Sequence, residues 1–435
     1  MEFLPAYSEL LKRQLLKTRN SFADVGRTLS ALGNPHHKLK FVHIAGTNGK
    51  GSVAVMCANA LSLSGEKTGL YTSPHLVSIC ERIKINGTDI SERAFADAVG
   101  AVLAAETVTL TYFEVLTCAA FLHFARNNCS FAVLETGIGG RLDVTNIIAR
   151  PEVSIITSVG FDHVDLLGDS IEKIAYEKAG IIKSGGICVC AQVPPEALVV
   201  IKRTAAEKDA RLIYAPDDSP FDFHDFDWHR NSTLFRDGSG GIHAVSALGE
   251  PYVLNAQTVV SALSALGLDR NRVLDSLADF VWPARFQVLR VDNGTGHCVS
   301  IVIDGAHNEQ AAELFAKTFK MSPYASCGRK TLLLTVMKDK DFQAILKILV
   351  PLFDKFVMTA SSSARTLNPC HAAEIVKRLR PGADVIVEPD IKAALNIALD
   401  SSVCAVAGSF YLAGAVLDIL GREFGACVKQ TNGEL

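Results

Sequence analysis

A glycine-rich segment with one lysine and one serine, AGTNGKGS, runs from Ala45 to Ser52. It follows a short apolar run and precedes a stretch of helical composition, which is the setting a phosphate-binding loop requires. Glycines let backbone N–H groups turn towards phosphate oxygens, and a helix N-terminus adds a favourable field. Lys50 would bring positive charge to the terminal phosphates, and Ser52 a hydroxyl to a phosphate or magnesium ion. The loop departs from G-x-x-x-x-G-K-[ST], because it is shorter and Gly51 separates the lysine from the serine, so a chance glycine turn is the alternative.

Other polar residues also follow apolar runs. Glu135 precedes the glycine loop TGIGGR, a usual position for a carboxylate directed at magnesium, although a cap or an ion-pair partner is the alternative. His163 follows the run that ends at Gly160, where a structural histidine is the alternative. Ser73, in TSPH, is typical of a turn, and Lys178 lies where a helix is predicted to end, a place that favours a lysine through the helix dipole.

The elements that must position these residues are short apolar strands. Lys40–Ala45, the KTGLYTS segment, Ser130–Gly137 and Glu152–Gly160 each end in small or polar residues. In an open parallel sheet, ligands bind beyond the carboxyl ends of the strands. We therefore expect these strand ends to meet in one crevice.

A second regular pattern begins after residue 284. A strand is predicted from His297 to Asp304, then a helix from about Glu309, then four more strands with helical stretches between them. This alternation predicts a separate parallel-sheet domain. The fold class is therefore α/β: a P-loop-type parallel-sheet ATPase domain, residues 1–283, followed by a smaller Rossmann-like α/β domain, residues 284–435. Residues 202–254 are polar and aromatic, and we expect an exposed loop or hairpin rather than a metal site, since their Asp and His residues have no regular spacing.

Composition excludes several classes of protein. Lys and Arg total 43 against 46 Asp and Glu, a formal net charge of -3 over 435 residues, so a basic surface that binds nucleic acid is excluded as the main theme. The 11 cysteines include no CxxC pair and are expected to be reduced core residues. The N-terminal segment is charged, and no apolar run reaches the ~18–20 residues of a membrane helix. We expect a cytoplasmic protein without nucleic-acid or membrane partners.

Taken together, these residues resemble the Mur ligase superfamily, and more closely its folylpolyglutamate synthase/dihydrofolate synthase branch, often called FolC. The matching segments occur in family order from about residue 32 to residue 414: LGNP, HIAGTNGKGS, TSPHL, ERIKING, TYFE, LETGIGGRLDVTNI, ITSVGFDHVDLLGDSIEKIAYEKAGIIK, WPARFQ, DGAHN, MKDKD and GSFYLAG. No single segment is decisive, whereas the ordered set is very specific. Two departures are Pro251-Tyr252, where the family often has His-Gln, and Val144, where it usually has alanine.

The resemblance implies an ATP-dependent amide ligase. A substrate carboxylate would attack the γ-phosphate of ATP to give an acyl phosphate and ADP, and the amine of L-glutamate would then displace phosphate. A carboxylate is inert to amines until one of its oxygens becomes a good leaving group. The implied substrates are dihydropteroate, reduced folates, L-glutamate and ATP with Mg²⁺ at two sites, and the family default is a monomer.

The resemblance also implies site residues. Catalytic roles fall on Lys50, Lys178 and His163, and magnesium ligands on Ser73, Glu135 and His163. Nucleotide contacts fall on Gly49, Lys50, Gly51, Ser52, Asn255, Arg285 and Asp304, with His307 nearby. Substrate contacts fall on Arg82, Thr111, Tyr112, Phe113, Glu114, Leu142, Asp143 and Val144. Lys178 matches a lysine that the family carbamylates, which requires a neutral amine and creates a carboxylate-like ligand for the second magnesium.

Two other functions stay open. The first is a muramyl-peptide-type amide ligase, against which the 45 residues before Gly46 count, because those ligases carry a further domain there. The second is a catalytically inactive protein that binds nucleotide, against which the presence of Lys50, Glu135, His163 and Lys178 counts.

Overall fold

A computed structural model of the chain describes residues 2–14, 16, 22–292, 298–338, 340–361, 366–423 and 428–430. The helices within these residues are α1 Phe3–Lys12, α2 Ala23–Ala31, α3 Lys50–Leu63, α4 Glu92–Ala105, α5 Tyr112–Arg126, α6 Val164–Leu167, α7 Ile171–Ala179, α8 Pro195–Glu207, α9 Ala215–Asp218, α10 Pro251–Ala265, α11 Arg270–Ser276, α12 Glu309–Met321, α13 Phe342–Leu349, α14 Pro369–Leu379, α15 Ile391–Ala398 and α16 Phe410–Glu423. The strands are β1 Lys40–Ala45, β2 Thr68–Tyr71, β3 Ile83–Ile85, β4 Thr88–Asp89, β5 Phe131–Glu135, β6 Val153–Ile156, β7 Ile187–Cys190, β8 Arg211–Tyr214, β9 Phe221–Asp227, β10 Ser232–Asp237, β11 Ile242–Val245, β12 Gln287–Asp292, β13 Cys298–Ile303, β14 Lys330–Leu334, β15 Lys355–Met358, β16 Asp384–Val387, β17 Val403–Ala407 and β18 Val428–Gln430.

The first sheet has the order β4-β3-β2-β5-β1-β6-β7-β8. Strands β2, β5, β1, β6, β7 and β8 pair in parallel, and the hairpin β3–β4 joins the edge of the sheet antiparallel to β2. Central β1 lies between β5 and β6, with Ile44 opposite both Glu135 and Ile155. The carboxyl ends of these three strands are therefore adjacent, as the sequence predicts.

Both faces of this sheet are covered, which explains why its strands are continuous apolar runs. Val42, Ile44 and Val133 pack with α3 and α10 on one face. Phe41 and Leu134 pack with α4 and α5 on the other face. These two cores hold β1 and β5 rigidly, and so fix the loops that follow them.

The second large sheet has the order β16-β15-β14-β17-β13-β12-β18. Its strands from β16 to β13 are parallel, whereas β12 and β18 are antiparallel additions at one edge. The predicted strand 297–304 is the strand Cys298–Ile303; His297 lies outside the described residues. The predicted α/β class with a second, smaller sheet unit is confirmed. The boundary predicted between residues 283 and 284 falls between Ser276, where α11 ends, and Gln287, where β12 begins, and it stays a prediction.

The segment expected to be an exposed loop or hairpin forms the antiparallel sheet β11-β10-β9. Its aromatic residues are not exposed, which corrects that part of the expectation. Phe221 and Phe235 pack into the core of the first sheet, while Phe226 packs into the core of the second. Burial of these rings explains why acidic and aromatic residues alternate here.

Two further observations bear on the sequence predictions. Cys188 and Cys190 are both buried in the same core on β7, as alternation in a strand predicts. Among the described residues, no helix combines the length and apolar character needed to cross a membrane.

Candidate active site

The loop between β1 and α3 is tightly packed against its neighbours. Gly49 has φ +84°, and a Cβ on it would lie 2.8 Å from Asn255 Oδ1. A Cβ on Gly46 would lie 2.0 Å from Thr157 Oγ1. Both positions therefore require glycine, one for its backbone conformation and both for close approach. The loop has the form of a phosphate-binding loop.

Lys50 folds back over this loop. Its Nζ donates hydrogen bonds to the carbonyl oxygens of Gly46 at 3.0 Å and Thr47 at 3.1 Å. Burial lowers the pKa of Lys50, and the nearby carboxylates of Glu135 and Asp162 oppose this shift. The ammonium group is thus held at the loop, next to the N-terminus of α3, where it can meet an anion.

Glu135 lies at the end of β5 beside the loop. It is 5% exposed, and its Oε2 accepts a hydrogen bond from the backbone N–H of Ser73 at 3.0 Å. Burial raises the pKa of Glu135, and the charge of Lys50 opposes the shift. A Cβ on Gly51 would lie 3.4 Å from Glu135 Oε2 and 2.7 Å from Trp282 Cζ2. The first turn of α3, the carboxylate and the indole therefore meet at one point.

His163 and Asp162 follow β6. His163 adopts a left-handed conformation with φ 49°, and burial lowers its pKa, so its imidazole is neutral and can act as a metal ligand. Its Nε2 lies 3.9 Å from Asp162 Oδ2. Asp162 Oδ1 accepts a hydrogen bond from Lys340 Nζ at 2.8 Å. This ion pair joins the first sheet unit to the MKDKD segment of the second, of which Asp339 lies outside the described residues.

Lys178 is the penultimate residue of α7 and is 2% exposed. Burial, reinforced by the charge of Lys50, lowers its pKa from 10.5 to about 7, against the opposing effect of Asp162. The structure records no hydrogen bond from its Nζ to a described residue. Near pH 7 the amine of Lys178 is therefore about half neutral, and the charges of Lys50 and Asp162 influence it.

The second unit contributes Asp304 and Arg285. Asp304 accepts hydrogen bonds from the backbone N–H groups of Phe286 at 2.8 Å and Ala306 at 2.7 Å. Burial raises its pKa to about 6, although the charge of Arg285 favours the ionised form. The guanidinium carbon of Arg285 lies 4.6 Å from the centroid of the Phe410 ring, and its buried Nε has no recorded partner. Arg285 thus has donors available for an anionic ligand.

Arg285 lines two cavities. The smaller has a volume of about 280 Å³ and is lined by five of the predicted nucleotide contacts, Gly49, Ser52, Asn255, Arg285 and Asp304. Tyr252, one of the departures from the family pattern, also lines it. The structure places His307 just outside, with its Nδ1 2.9 Å from the carbonyl oxygen of Gly305 and its pKa lowered to about 4 by burial.

The larger cavity has a volume of about 830 Å³ and is lined by Gly51, Ser73, Glu135, Trp282 and Arg285 among others. The predicted magnesium ligands Ser73 and Glu135 therefore lie in its wall. His163 and the predicted substrate contacts do not line it. The structure thus brings together most of the predicted nucleotide residues and two of the three predicted metal ligands.

The predicted substrate contacts form a separate group around the start of α5. Thr111 and Glu114 form a capping box: Thr111 N donates to Glu114 Oε2 at 2.7 Å, and Glu114 N donates to Thr111 Oγ1 at 3.4 Å. The Phe113 ring lies against Gly137, where a Cβ would be 2.9 Å from Phe113 Cζ. The contacts of Thr111 and Glu114 are those of a helix cap.

Asp143 is likewise occupied by internal bonds. Its Oδ2 accepts the N–H groups of Gly137 at 2.8 Å and Ile138 at 3.1 Å, and its Oδ1 accepts Thr145 N at 3.0 Å and Thr145 Oγ1 at 2.6 Å. Burial raises its pKa, and these bonds oppose the shift. Asp143 closes the loop that follows Glu135. Leu142 is half-buried and Val144 is buried on either side of it.

Three residues of the site were not assigned a role from sequence. Trp282 was noted only near a boundary, Lys340 only within the MKDKD segment, and His75 only within TSPH. The contacts of each residue involve partners elsewhere in the chain, so a local sequence pattern does not reveal its role. His75 Nδ1 accepts a hydrogen bond from Arg82 Nε at 2.8 Å.

The fold and the loop define a class: a two-unit nucleotide-dependent enzyme with a phosphate loop in its first unit. The family model of the Mur ligase middle domain matches residues 44–263, and that of the dihydrofolate synthetase C-terminal domain matches residues 287–419. The chain therefore belongs to the dihydrofolate synthase/folylpolyglutamate synthase family of Mur-type ligases. It is an ATP-dependent ligase that forms amide bonds.

Proteins of known name and structure are similar to this chain over most of its length. A dihydrofolate synthase/folylpolyglutamate synthase from Bacillus subtilis (strain 168) is 33% identical over 343 residues, which are 73% of this chain and 76% of that protein. The Mycobacterium tuberculosis folylpolyglutamate synthase complexed with ADP has a TM-score of 0.86 and 28% identity, covering 97% of this chain and 98% of that chain. The Escherichia coli FolC in complex with DHPP and ADP has a TM-score of 0.80 and 28% identity, covering 95% of this chain and 97% of that chain.

Proposed function

We propose that this protein adds L-glutamate to dihydropteroate, as a dihydrofolate synthase, and to reduced folates, as a folylpolyglutamate synthase. The observation that carries the proposal is that Arg285 lines two cavities. The smaller cavity contains the nucleotide residues Gly49 and Asn255, and the larger contains Glu135 and Ser73. With a nucleotide in the smaller cavity and a substrate in the larger, Arg285 would contact both the end of the triphosphate and the substrate carboxylate.

The nucleotide is proposed to bind in the smaller cavity, with its phosphates on the loop that Gly46 and Gly49 shape. Lys50 and the N-terminus of α3 attract the terminal phosphates. Arg285 comes from the other unit and offers its donors to the same anion. Asp304 holds the backbone of Phe286 and so positions this arginine. The ATP contacts are therefore completed only when both units are in place.

The reaction runs in two displacements. One oxygen of the substrate carboxylate forms a bond to the γ-phosphorus while the bond from that phosphorus to the bridging oxygen breaks, which gives an acyl phosphate and ADP. The nitrogen of glutamate then bonds to the acyl carbon, and the bond from this carbon to the phosphate oxygen breaks. Phosphate leaves, and the amine loses its proton to the surroundings. Lys50 and Arg285 hold the anionic groups together during both displacements.

Glu135, Ser73 and His163 are proposed to hold Mg²⁺. A buried carboxylate, a hydroxyl and a neutral imidazole suit a magnesium ion that keeps several oxygen ligands from water and phosphate. Among the described residues, no three His, Cys, Asp or Glu side chains cluster as a metal site. When bound, the ion supplies charge neutralisation for the phosphates.

Lys178 is proposed to be carbamylated and to serve a second Mg²⁺. The lowered pKa of its amine supports this, because only the neutral amine reacts with CO₂. The remaining partners are proposed to be small molecules alone, with no nucleic acid and no membrane, and the protein to be a cytoplasmic monomer.

To test this, purified protein is incubated with ATP, Mg²⁺ and glutamate. Each incubation also contains dihydropteroate, a reduced monoglutamyl folate or a muramyl precursor. We expect glutamate-dependent ADP release with dihydropteroate and with the folate. Release with the muramyl precursor alone would favour the muramyl-type ligase, and release with none would favour the inactive nucleotide-binding protein. Lys178→Ala should lose nearly all activity without rescue by bicarbonate, since the variant has no amine to modify; full turnover by this variant would remove the carbamate from the account.

A further inference from the structure

Arg82 is a buried cation without an anionic partner. It is 9% exposed, and no ion pair joins it to a carboxylate among the described residues. Its Nε donates to His75 Nδ1 at 2.8 Å, and its guanidinium carbon lies 5.5 Å from the centroid of the Tyr112 ring. Because removing an unpaired charge from water is costly, this arrangement indicates an anion that arrives with a ligand.

The position of Arg82 identifies where that anion would bind. Its carbonyl oxygen accepts the N–H of Thr72 at 3.0 Å, and the next residue, Ser73, donates to Glu135. Burial raises the pKa of Glu135 and of Tyr71, and the charge of Arg82 is among the effects that oppose both rises. The guanidinium group therefore lies within electrostatic reach of the proposed reaction centre.

We propose that His75 is a positioning residue: by accepting the Nε–H of Arg82, it fixes the guanidinium so that the two terminal nitrogens bind a substrate carboxylate end-on. This inference rests on the proposed function, because it assigns a carboxylate ligand to the same site. The Nε edge of the guanidinium is occupied by His75, so a carboxylate has the edge formed by Nη1 and Nη2 for a two-bond contact.

The chemistry of His75 suits this role. Arginine is always a donor, so His75 Nδ1 must be unprotonated and its Nε2 must carry the proton. The Tyr112 ring supports the guanidinium through its face. His75 and Tyr112 thus restrict Arg82 from two sides before substrate arrives.

A carboxylate could come from the acyl donor or from the acceptor glutamate, and steady-state kinetics separates these sources. His75→Phe keeps an aromatic ring and removes the acceptor, whereas His75→Asn places an amide oxygen near the position of Nδ1. We expect His75→Phe to raise KM about tenfold for one of the two carboxylate substrates, with KM for ATP and kcat within about twofold of wild type. His75→Asn should recover most of the loss. His229→Phe, at an exposed turn, is the control and should behave as wild type.

Three results would overturn the role of His75: unchanged KM values for both carboxylates in His75→Phe, an equal rise in KM for ATP, or the same defect in His75→Asn. If the proposed function itself is wrong, the result is different: the wild type releases no ADP. Calorimetric titration of dihydropteroate and of glutamate into wild type and His75→Phe, with ATP and Mg²⁺ present, decides the His75 question even then. Weaker binding of one carboxylate by His75→Phe supports it, and equal binding refutes it.

Discussion

The buried amine of Lys178 should cost the protein stability, and its removal should reveal that cost. At pH 7 an exposed lysine is protonated, whereas the pKa of Lys178 is about 7 in the fold. At pH 7, about half of the molecules must therefore lose the proton of Lys178 on folding, and the other half must bury a charged ammonium group. With 1.36 kcal/mol per pKa unit, the difference between 10.5 and about 7 corresponds to about 4 kcal/mol lost at pH 7.

The perturbation is Lys178→Met, which keeps the length of the side chain and removes the ionisable group. The unfolded wild-type chain binds more protons at this position than the folded chain between about pH 7 and pH 10.5, so wild-type stability should rise with pH through that window. The variant lacks this dependence. The free energy of unfolding of Lys178→Met should exceed that of wild type by about 4 kcal/mol at pH 7, by about 2 kcal/mol at pH 9, and by almost nothing above pH 10.5.

The assay is urea unfolding of both proteins at several pH values, in buffer depleted of CO₂ and magnesium so that the amine stays unmodified. Lys173→Met, on the same helix but in an exposed pair with Asp169, is the matched control and should show no such gap. A constant gap across pH, or none at pH 7, would refute the idea that burial neutralises Lys178. Stability gained together with activity lost would show that the fold pays for this lysine because the reaction needs it.

Three further outcomes follow from the site. Glu135→Ala should weaken the magnesium dependence of the rate, because a buried oxygen ligand is lost; a magnesium titration identical to wild type would remove Glu135 from the metal site. Gly51→Ala should lower kcat/KM for ATP by about tenfold or more, since the new Cβ would lie 2.7 Å from Trp282 Cζ2; unimpaired kinetics would mean that the indole moves freely. Lys340→Met should lower stability by about 1–2 kcal/mol in urea unfolding, because Asp162 keeps a largely buried carboxylate without its partner; equal midpoints would show that the ion pair contributes nothing.

The parts of the fold that the sequence predicts are those with strong local patterns. Lys40–Ala45 and Ser130–Gly137 are apolar runs that end in polar or glycine residues, and these features are enough to place β1, β5 and the loops after them. The strand register then brings Glu135 next to the phosphate loop, as expected from neighbouring strand ends. The resemblance adds Arg285 and Asp304, which no local pattern would assign to a nucleotide.

Other features could not be predicted because they depend on contacts across the chain. The hairpin β3–β4 consists of very short strands whose pairing with β2 is set by packing. The ion pair of Lys340 with Asp162 spans 178 positions, so no spacing rule detects it. The capping box of Thr111 and Glu114 has a recognisable sequence pattern, T-x-x-E, and could have been identified from it.

The central claim is that a substrate carboxylate is activated by phosphate transfer beside Arg285, which lines both cavities. Dihydropteroate labelled with ¹⁸O in both carboxylate oxygens, incubated with ATP, Mg²⁺, glutamate and the enzyme, tests it directly by mass spectrometry of the products. An acyl phosphate transfers one labelled oxygen to inorganic phosphate and leaves the other in the new amide. We predict one ¹⁸O in each phosphate released per glutamate added. Unlabelled phosphate, with the displaced ¹⁸O recovered in water instead, would contradict the account.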